Sequence, residues 1–260
     1  MEDYTIVQNY TLPSLGKVYE YEINPNISIR SMTTNDEMKR LNVSERQYKG
    51  LADAIDDCLV EKPGISSYDM CVNDFQFLLY KLRVVTYGSN YGIITKCPIC
   101  RYENEGTVNL EQMEVLTYSE DLQKYFEFDL PKSKYHIKIR MQTPRMLDDI
   151  AIKAKEIRKK SPDYIGDPAF LLNIESMIEL INNKKPDPTK ISEWVRNLPM
   201  MDTNHIMNCA QKLNEGFGLN TKLDITCDLC GLDYNSPFRI GPEFFRPKLQ
   251  DDERGEGEDI

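Results

Sequence analysis

Histidine, tryptophan, positive charge and long apolar runs are all in short supply in this 260-residue chain. The two histidines, His136 and His205, have no motif around either of them, so acid–base or metal chemistry built on histidine has no sequence support. There is no Gly-x-x-x-x-Gly-Lys loop, no Gly-x-Ser-x-Gly elbow and no His-Glu-x-x-His pair, which removes the common signatures of phosphate binding, acyl transfer and metalloprotease chemistry. An enzyme is therefore not expected, and no small-molecule substrate. No run of the ~18 apolar residues that a membrane span requires occurs, and Met1-Glu2-Asp3-Tyr4 lacks the basic-then-apolar pattern of a secretory leader. Cations are outnumbered, 32 Lys and Arg against 42 Asp and Glu, for a net charge of −10. Nucleic-acid affinity comes mostly from cations on phosphates, so a nucleic-acid partner is disfavoured. The basic run of Lys153, Lys155, Arg158, Lys159 and Lys160 reads as a solvated helix face. The acid pairs Asp56-Asp57 and Asp148-Asp149 read the same way, because adjacent helical residues point apart.

Cysteine, by contrast, carries a pattern. Seven are present, so a fully paired disulfide set is impossible. Four form two Cys-x-x-Cys pairs, Cys97-Pro98-Ile99-Cys100 and Cys227-Asp228-Leu229-Cys230. An aromatic-Gly pair precedes each at the same distance, Tyr87-Gly88 and Phe217-Gly218. Together the pairs supply the four thiolates that a closed, structural zinc site needs, and a full sulfur shell leaves no position for a catalytic water. Redox use normally places such a pair at a helix N-terminus; here both are expected in turns between short strands. Two ordinary hairpins that have lost their metal remain the alternative. Cys58, Cys71 and Cys209 fall on helix stripes or edges and read as buried small apolar groups.

The similarity between the halves extends beyond cysteine. Ile29-Arg30-Ser31-Met32-Thr33-Thr34 resembles Ile139-Arg140-Met141-Gln142-Thr143-Pro144, and each follows a β-like alternation and precedes a helix start. A shared order of elements points to duplication. The expected fold is α+β with two pseudo-repeats, each of strands and helices ending in a zinc-ribbon-like hairpin. Residues 1–14 form an N-terminal arm, 15–115 the first repeat, 126–245 the second, and 246–260 an acidic, disordered tail. Within this scheme Tyr19–Ile29 is expected as a hairpin turning at Asn24-Pro25-Asn26. Thr33 or Thr34 should cap a helix. Leu171, Ile174, Ile178 and Ile181 should mark one helix, and Asp202-Thr203 should cap another. Trp194 lies on an apolar stripe and reads as core.

Several segments taken together resemble a T4-like bacteriophage baseplate-hub family. They are Leu12-Pro13-Ser14-Leu15-Gly16-Lys17-Val18-Tyr19, Ile29 to Thr34, and Phe77-Leu78-Leu79-Tyr80-Lys81-Leu82-Arg83 leading to the first cysteine pair. Leu198-Pro199-Met200-Met201-Asp202 leads similarly to the second pair and Gly231. The resemblance covers about residues 11–240. It departs at Ser14-Leu15, and at Arg101, where a glycine often follows the second cysteine. It implies a late phage protein, a hub subunit or a hub assembly factor, that acts through contacts with other baseplate or tail proteins in the virion or, during assembly, in the host cytoplasm. The competing reading is a zinc-ribbon nucleic-acid-binding or transcription-associated protein. Lys96, Arg101 and Tyr102 flank one pair in its favour, but Asp228 and Asp233 flank the other.

Overall fold

The computed structural model describes residues 5–41, 44–238 and 242–245. The acidic tail expected at 246–260 lies outside the described residues. The chain is mixed helix and strand. Strands β1 (Val7–Thr11) and β2 (Asn26–Arg30) are followed by helices α1 (Thr34–Arg40), α2 (Gln47–Cys58) and α3 (Val72–Tyr87). Then come β3 (Asn90–Lys96), β4 (Glu103–Asn109) and β5 (Val115–Leu116). Further on, β6 (Glu127–Asp129) and β7 (His136–Ile139) precede α4 (Pro144–Lys160), α5 (Pro168–Met177), β8 (Ile178–Ile181), α6 (Ile191–Arg196) and α7 (Met200–Gly216). The described chain closes with β9 (Gly218–Leu219), β10 (Lys222–Thr226), β11 (Asp233–Pro237) and a 3-10 turn at Pro242–Phe245.

The first hairpin differs from the sequence expectation. The partner of β2 is β1, antiparallel, with Val7 opposite Arg30 and Thr11 opposite Asn26. Residues 5–14, the described part of the arm, therefore supply a strand to their own chain. Between β1 and β2 runs a tight loop whose residues converge on one carboxylate. Asp74 in the first turn of α3 is buried and accepts from the Ser14 N–H at 3.0 Å, the Ser14 hydroxyl at 2.5 Å and the Tyr19 hydroxyl at 2.6 Å. Burial raises its pKa against the lowering effect of these donors. The same arrangement recurs between β6 and β7. Asp202 in the first turn of α7 is buried and accepts from the Lys132 and Ser133 N–H groups at 2.7 and 2.9 Å. Both loops open on Leu-Pro, and both leucines, Leu12 and Leu130, are fully buried. Asp202 thus does not cap its own helix, as expected from sequence; Pro199 stands at the N-cap, and the carboxylate reaches across to a loop.

Side-chain caps stand at the starts of α1, α4 and α5. The Thr33 hydroxyl accepts from the Asp36 N–H while the Asp36 carboxylate takes the Thr33 N–H, a reciprocal box. The Thr143 hydroxyl accepts from Met146 at the matching position of α4. Helix α3 is buried nearly all round rather than along one stripe, because α2, β2, β9 and the Pro242–Phe245 turn all pack against it; the buried apolar residues form two clusters. One gathers Leu12, Ile27, Ile55, Phe75, Leu78 and Tyr80 with Phe238 and Phe244 from the far end of the chain. The other gathers Leu130, Ile137, Ile139, Ile174, Ile206 and Phe217. Trp194 packs against this second cluster, its ring edge-on to Tyr135.

Two further expectations are corrected. Ile178 and Ile181 belong to β8, which pairs with β7, so the apolar stripe from Leu171 changes from helix to strand period at Met177. Asp148 is not on a solvated face. It is buried and accepts from the Tyr48 N–H and, at 2.9 Å, the Tyr68 hydroxyl, while Asp149 pairs with Arg46 at 2.7 Å. Asp148 thereby satisfies a first-turn N–H of α2, whose own N-cap, Arg46, has no capping side chain. Asp56 is likewise committed, holding the Ser66 hydroxyl and the Ser67 N–H.

Candidate metal centre

The β3–β4 and β10–β11 hairpins carry the cysteines on their turns, and the two turns are built alike. In the first, the Cys97 N–H donates to the Tyr102 carbonyl at 2.9 Å and the Arg101 N–H to the Cys97 carbonyl at 3.0 Å. In the second, Cys227 N–H donates to Leu232 at 2.9 Å and Gly231 N–H to Cys227 at 2.8 Å. Both turns close through a left-handed residue after the second cysteine, Arg101 at φ 62° and Gly231 at φ 68°. The backbone N–H groups of Ile99 and Cys100 point at the Cys97 sulfur, and those of Leu229 and Cys230 at the Cys227 sulfur.

The hairpins bring all four sulfurs within 4.8 Å of one another. Sulfurs of the two turns approach directly, Cys97 to Cys230 at 3.8 Å and Cys100 to Cys227 at 3.5 Å. A disulfide would need about 2.05 Å, and all seven thiols are free. A tetrahedron of sulfurs about 2.3 Å from a central ion has edges of about 3.8 Å, so the cluster has the size of a four-sulfur metal shell. Its electrostatics fit as well. Burial pushes the Cys227 thiol up, but the N–H groups of Cys230 and Leu229 outweigh it and bring its pKa down to about 6. Cys97 is lowered for the same reason. The Tyr102 N–H favours the Cys100 thiolate, yet burial and the neighbouring sulfurs push that pKa up to about 12. Four adjacent thiols resist collective ionisation, and a divalent cation removes that resistance. Four soft thiolates in a tetrahedron suit zinc or iron.

A polar clamp that sequence reading missed locks the turns together. Tyr234 on β11 receives the Asn104 amide at 3.0 Å and shares a hydrogen bond with the Thr95 hydroxyl at 2.9 Å. The Asn104 carbonyl in turn accepts from the Asp228 N–H at 2.9 Å. Asn104 and Tyr234 stand at the same offset as the cysteines, so aligning the hairpins would have flagged them as facing positions. The matched partner of Asp228 is Pro98, which has no N–H to offer; a tyrosine in place of a second asparagine leaves no acceptor unfilled.

The remaining candidates lie elsewhere. Cys58, Cys71 and Cys209 are buried, and burial raises the pKa of each. His136 sits between Glu127 at 2.7 Å and Asp129 at 2.8 Å on the surface, and His205 packs edge-on to Phe128. Among the described residues the four-cysteine cluster is the one group with metal-ligand geometry, and no helix is long and apolar enough to cross a membrane.

Fold and site define an α+β protein whose candidate centre is a closed four-thiol cluster of structural type. The family model described as T4 bacteriophage base plate protein matches residues 4–246, nearly the whole chain, and the protein belongs to that family. No curated protein and no solved structure matches it.

Proposed function

We propose that this protein is a structural or assembly component of the phage baseplate hub, working through protein–protein contacts around a zinc-stapled scaffold. The observation that carries the reading is the meeting of two like turns, far apart in sequence, in one four-sulfur cluster, within a chain of the baseplate family. Cys97, Cys100, Cys227 and Cys230 hold the zinc, and its binding energy becomes folding energy for two hairpins with little core of their own. The two halves are repeats, 15–115 and 126–245, with the first reaching back to include β1. The paired Leu-Pro loops, the carboxylates Asp74 and Asp202 and the twin turns support this. Ile99 and Leu229, at matched positions in the turns, are 73% and 66% exposed. Paired apolar side chains in solvent suit a protein contact. The partners are other hub or tail proteins, in the virion or, before completion, in the host cytoplasm.

The nucleic-acid reading is weakened at the centre itself, where Lys96 is paired with Glu103 at 3.6 Å. Salt-dependent retention on DNA would revive it. The test of the assembly reading is complementation of a phage lacking this gene. The unmodified gene should restore baseplates, and Cys227→Ser should not. Complete baseplates in the absence of the protein would overturn the proposal. Mass spectrometry of the purified virions then separates a lasting subunit, seen as abundant peptides, from an assembly factor, which is absent.

A further inference from the structure

A cleft of about 420 Å³ opens between α4, α5 and the loop that follows β8, against the fold's second apolar cluster. Its floor is apolar, made by Met146, Ile150, Leu172, Ile178 and Ile191. Its rim carries charges of both signs, and their pairing is uneven. Among the rim acids, Asp149 is engaged by Arg46, Glu179 by Lys138 and Glu175 by the Ser192 hydroxyl, and Glu20 forms no ion pair among the described residues, against three such cations. The rim cations Arg140, Lys153 and Lys185 form no ion pair among the described residues.

Arg140 has a counterpart that shows what is missing. Arg30, the last residue of β2, and Arg140, the first after β7, each stand three residues before a threonine that caps the next helix. Both guanidinium groups donate to a carbonyl at the end of a neighbouring helix, Arg30 to Asp57 and Arg140 to Ser176, each at 2.9 Å. Arg30 then closes a two-pronged pair on Asp36, at 2.7 and 3.1 Å. The residue matching Asp36, third in α4, is Met146, which lies in the cleft floor. The position whose carboxylate satisfies the first arginine holds a methionine in the second, Arg140 makes no ion pair with the cleft's own acids, and an open cleft with an apolar floor stands there.

We propose that this cleft docks a segment of a partner protein that carries an aliphatic side chain beside a carboxylate. The carboxylate takes the fork of Arg140 in the way Asp36 takes that of Arg30, with Lys153 and Lys185 adding charge, and the aliphatic group covers the floor. This site is separate from the cysteine centre, and binding of a short probe does not depend on the assembly reading.

The probe is the blocked dipeptide acetyl-Asp-Leu-amide, with acetyl-Asn-Leu-amide as its uncharged isostere, titrated into the full chain with labelled isoleucine methyl groups. The titration runs to about 10 mM, enough to fill a millimolar site. The expected result is movement of the Ile150, Ile178 and Ile191 methyl signals by the Asp peptide, with the Asn peptide at least about tenfold weaker. Met146→Asp supplies the missing carboxylate internally and should weaken the Asp peptide about tenfold or more. Arg140→Gln should do the same and serves if Met146→Asp does not fold, whereas Arg30→Gln should leave binding unchanged. No movement of these signals, equal binding of the two peptides, or undiminished binding by Arg140→Gln would each overturn the proposal.

Discussion

At the residue scale, the two cysteine turns differ in one backbone choice whose energy can be measured. Arg101 and Gly231 hold the same left-handed conformation, which costs a side-chain-bearing residue about 1 kcal/mol and glycine almost nothing. A Cβ at Gly231 would meet nothing within 4 Å, so the cost there is conformational alone. Arg101→Gly is expected to stabilise the metal-loaded protein by about 1 kcal/mol and Gly231→Ala to destabilise it by a similar amount, read from urea midpoints. Asp36 provides a pH prediction. The hydrogen-bonded Arg30 guanidinium holds its carboxyl well below the usual carboxylate range, against the opposing effect of burial, with Thr33 assisting. A depressed folded-state pKa contributes stability that is complete above the unfolded value of about 4 and is lost as pH falls through the folded one. Urea midpoints of the unaltered protein should therefore drop more steeply below about pH 4 than those of Asp36→Asn. Residues whose role is set by the local chain were legible from sequence, as with the capping Thr33 and the turn positions of the cysteine pairs. Asp148, Asp74 and Asp202 were not, because the N–H groups that each satisfies lie in distant segments.

At the scale of elements, most helices and both cysteine hairpins could be read from periodicity and turn residues, and the exceptions have physical causes. The stripe from Leu171 to Ile181 keeps its apolar character while the backbone changes from α5 to β8, and apolar spacing alone does not mark that switch. Strand β1 is mostly exposed, so it lacks the alternation that would reveal it, and its pairing with β2 spans the whole Leu12–Pro25 loop. The Asn104–Tyr234–Thr95 clamp joins two hairpins through side chains. Tyr234→Phe removes the hydroxyl that bridges Thr95 and Asn104 and should cost about 1 kcal/mol. The loss should also appear as faster amide exchange at the facing edges of both hairpins. Equal stability and unchanged exchange would show that the sulfur cluster alone sets how the hairpins meet.

For the whole molecule, the proposed function needs one metal joining two halves. The sequence pointed to that through the cysteine offset and the family resemblance, whereas the packing of Phe238 and Phe244 among first-half residues Tyr80 and Tyr91 has no sequence signal. Metal analysis is expected to find about one zinc per chain, lost in any one of the four Cys→Ser variants. Full zinc content in Cys227→Ser, or two ions per chain, would contradict a shared site. The most direct test of the joint is hydrogen exchange on the zinc-loaded protein before and after chelation. With a shared ion, residues 91–110 and 221–238 are expected to lose protection together, because the metal ties each hairpin to the sulfurs of the other. Loss confined to one hairpin, or unchanged protection in both, would contradict it.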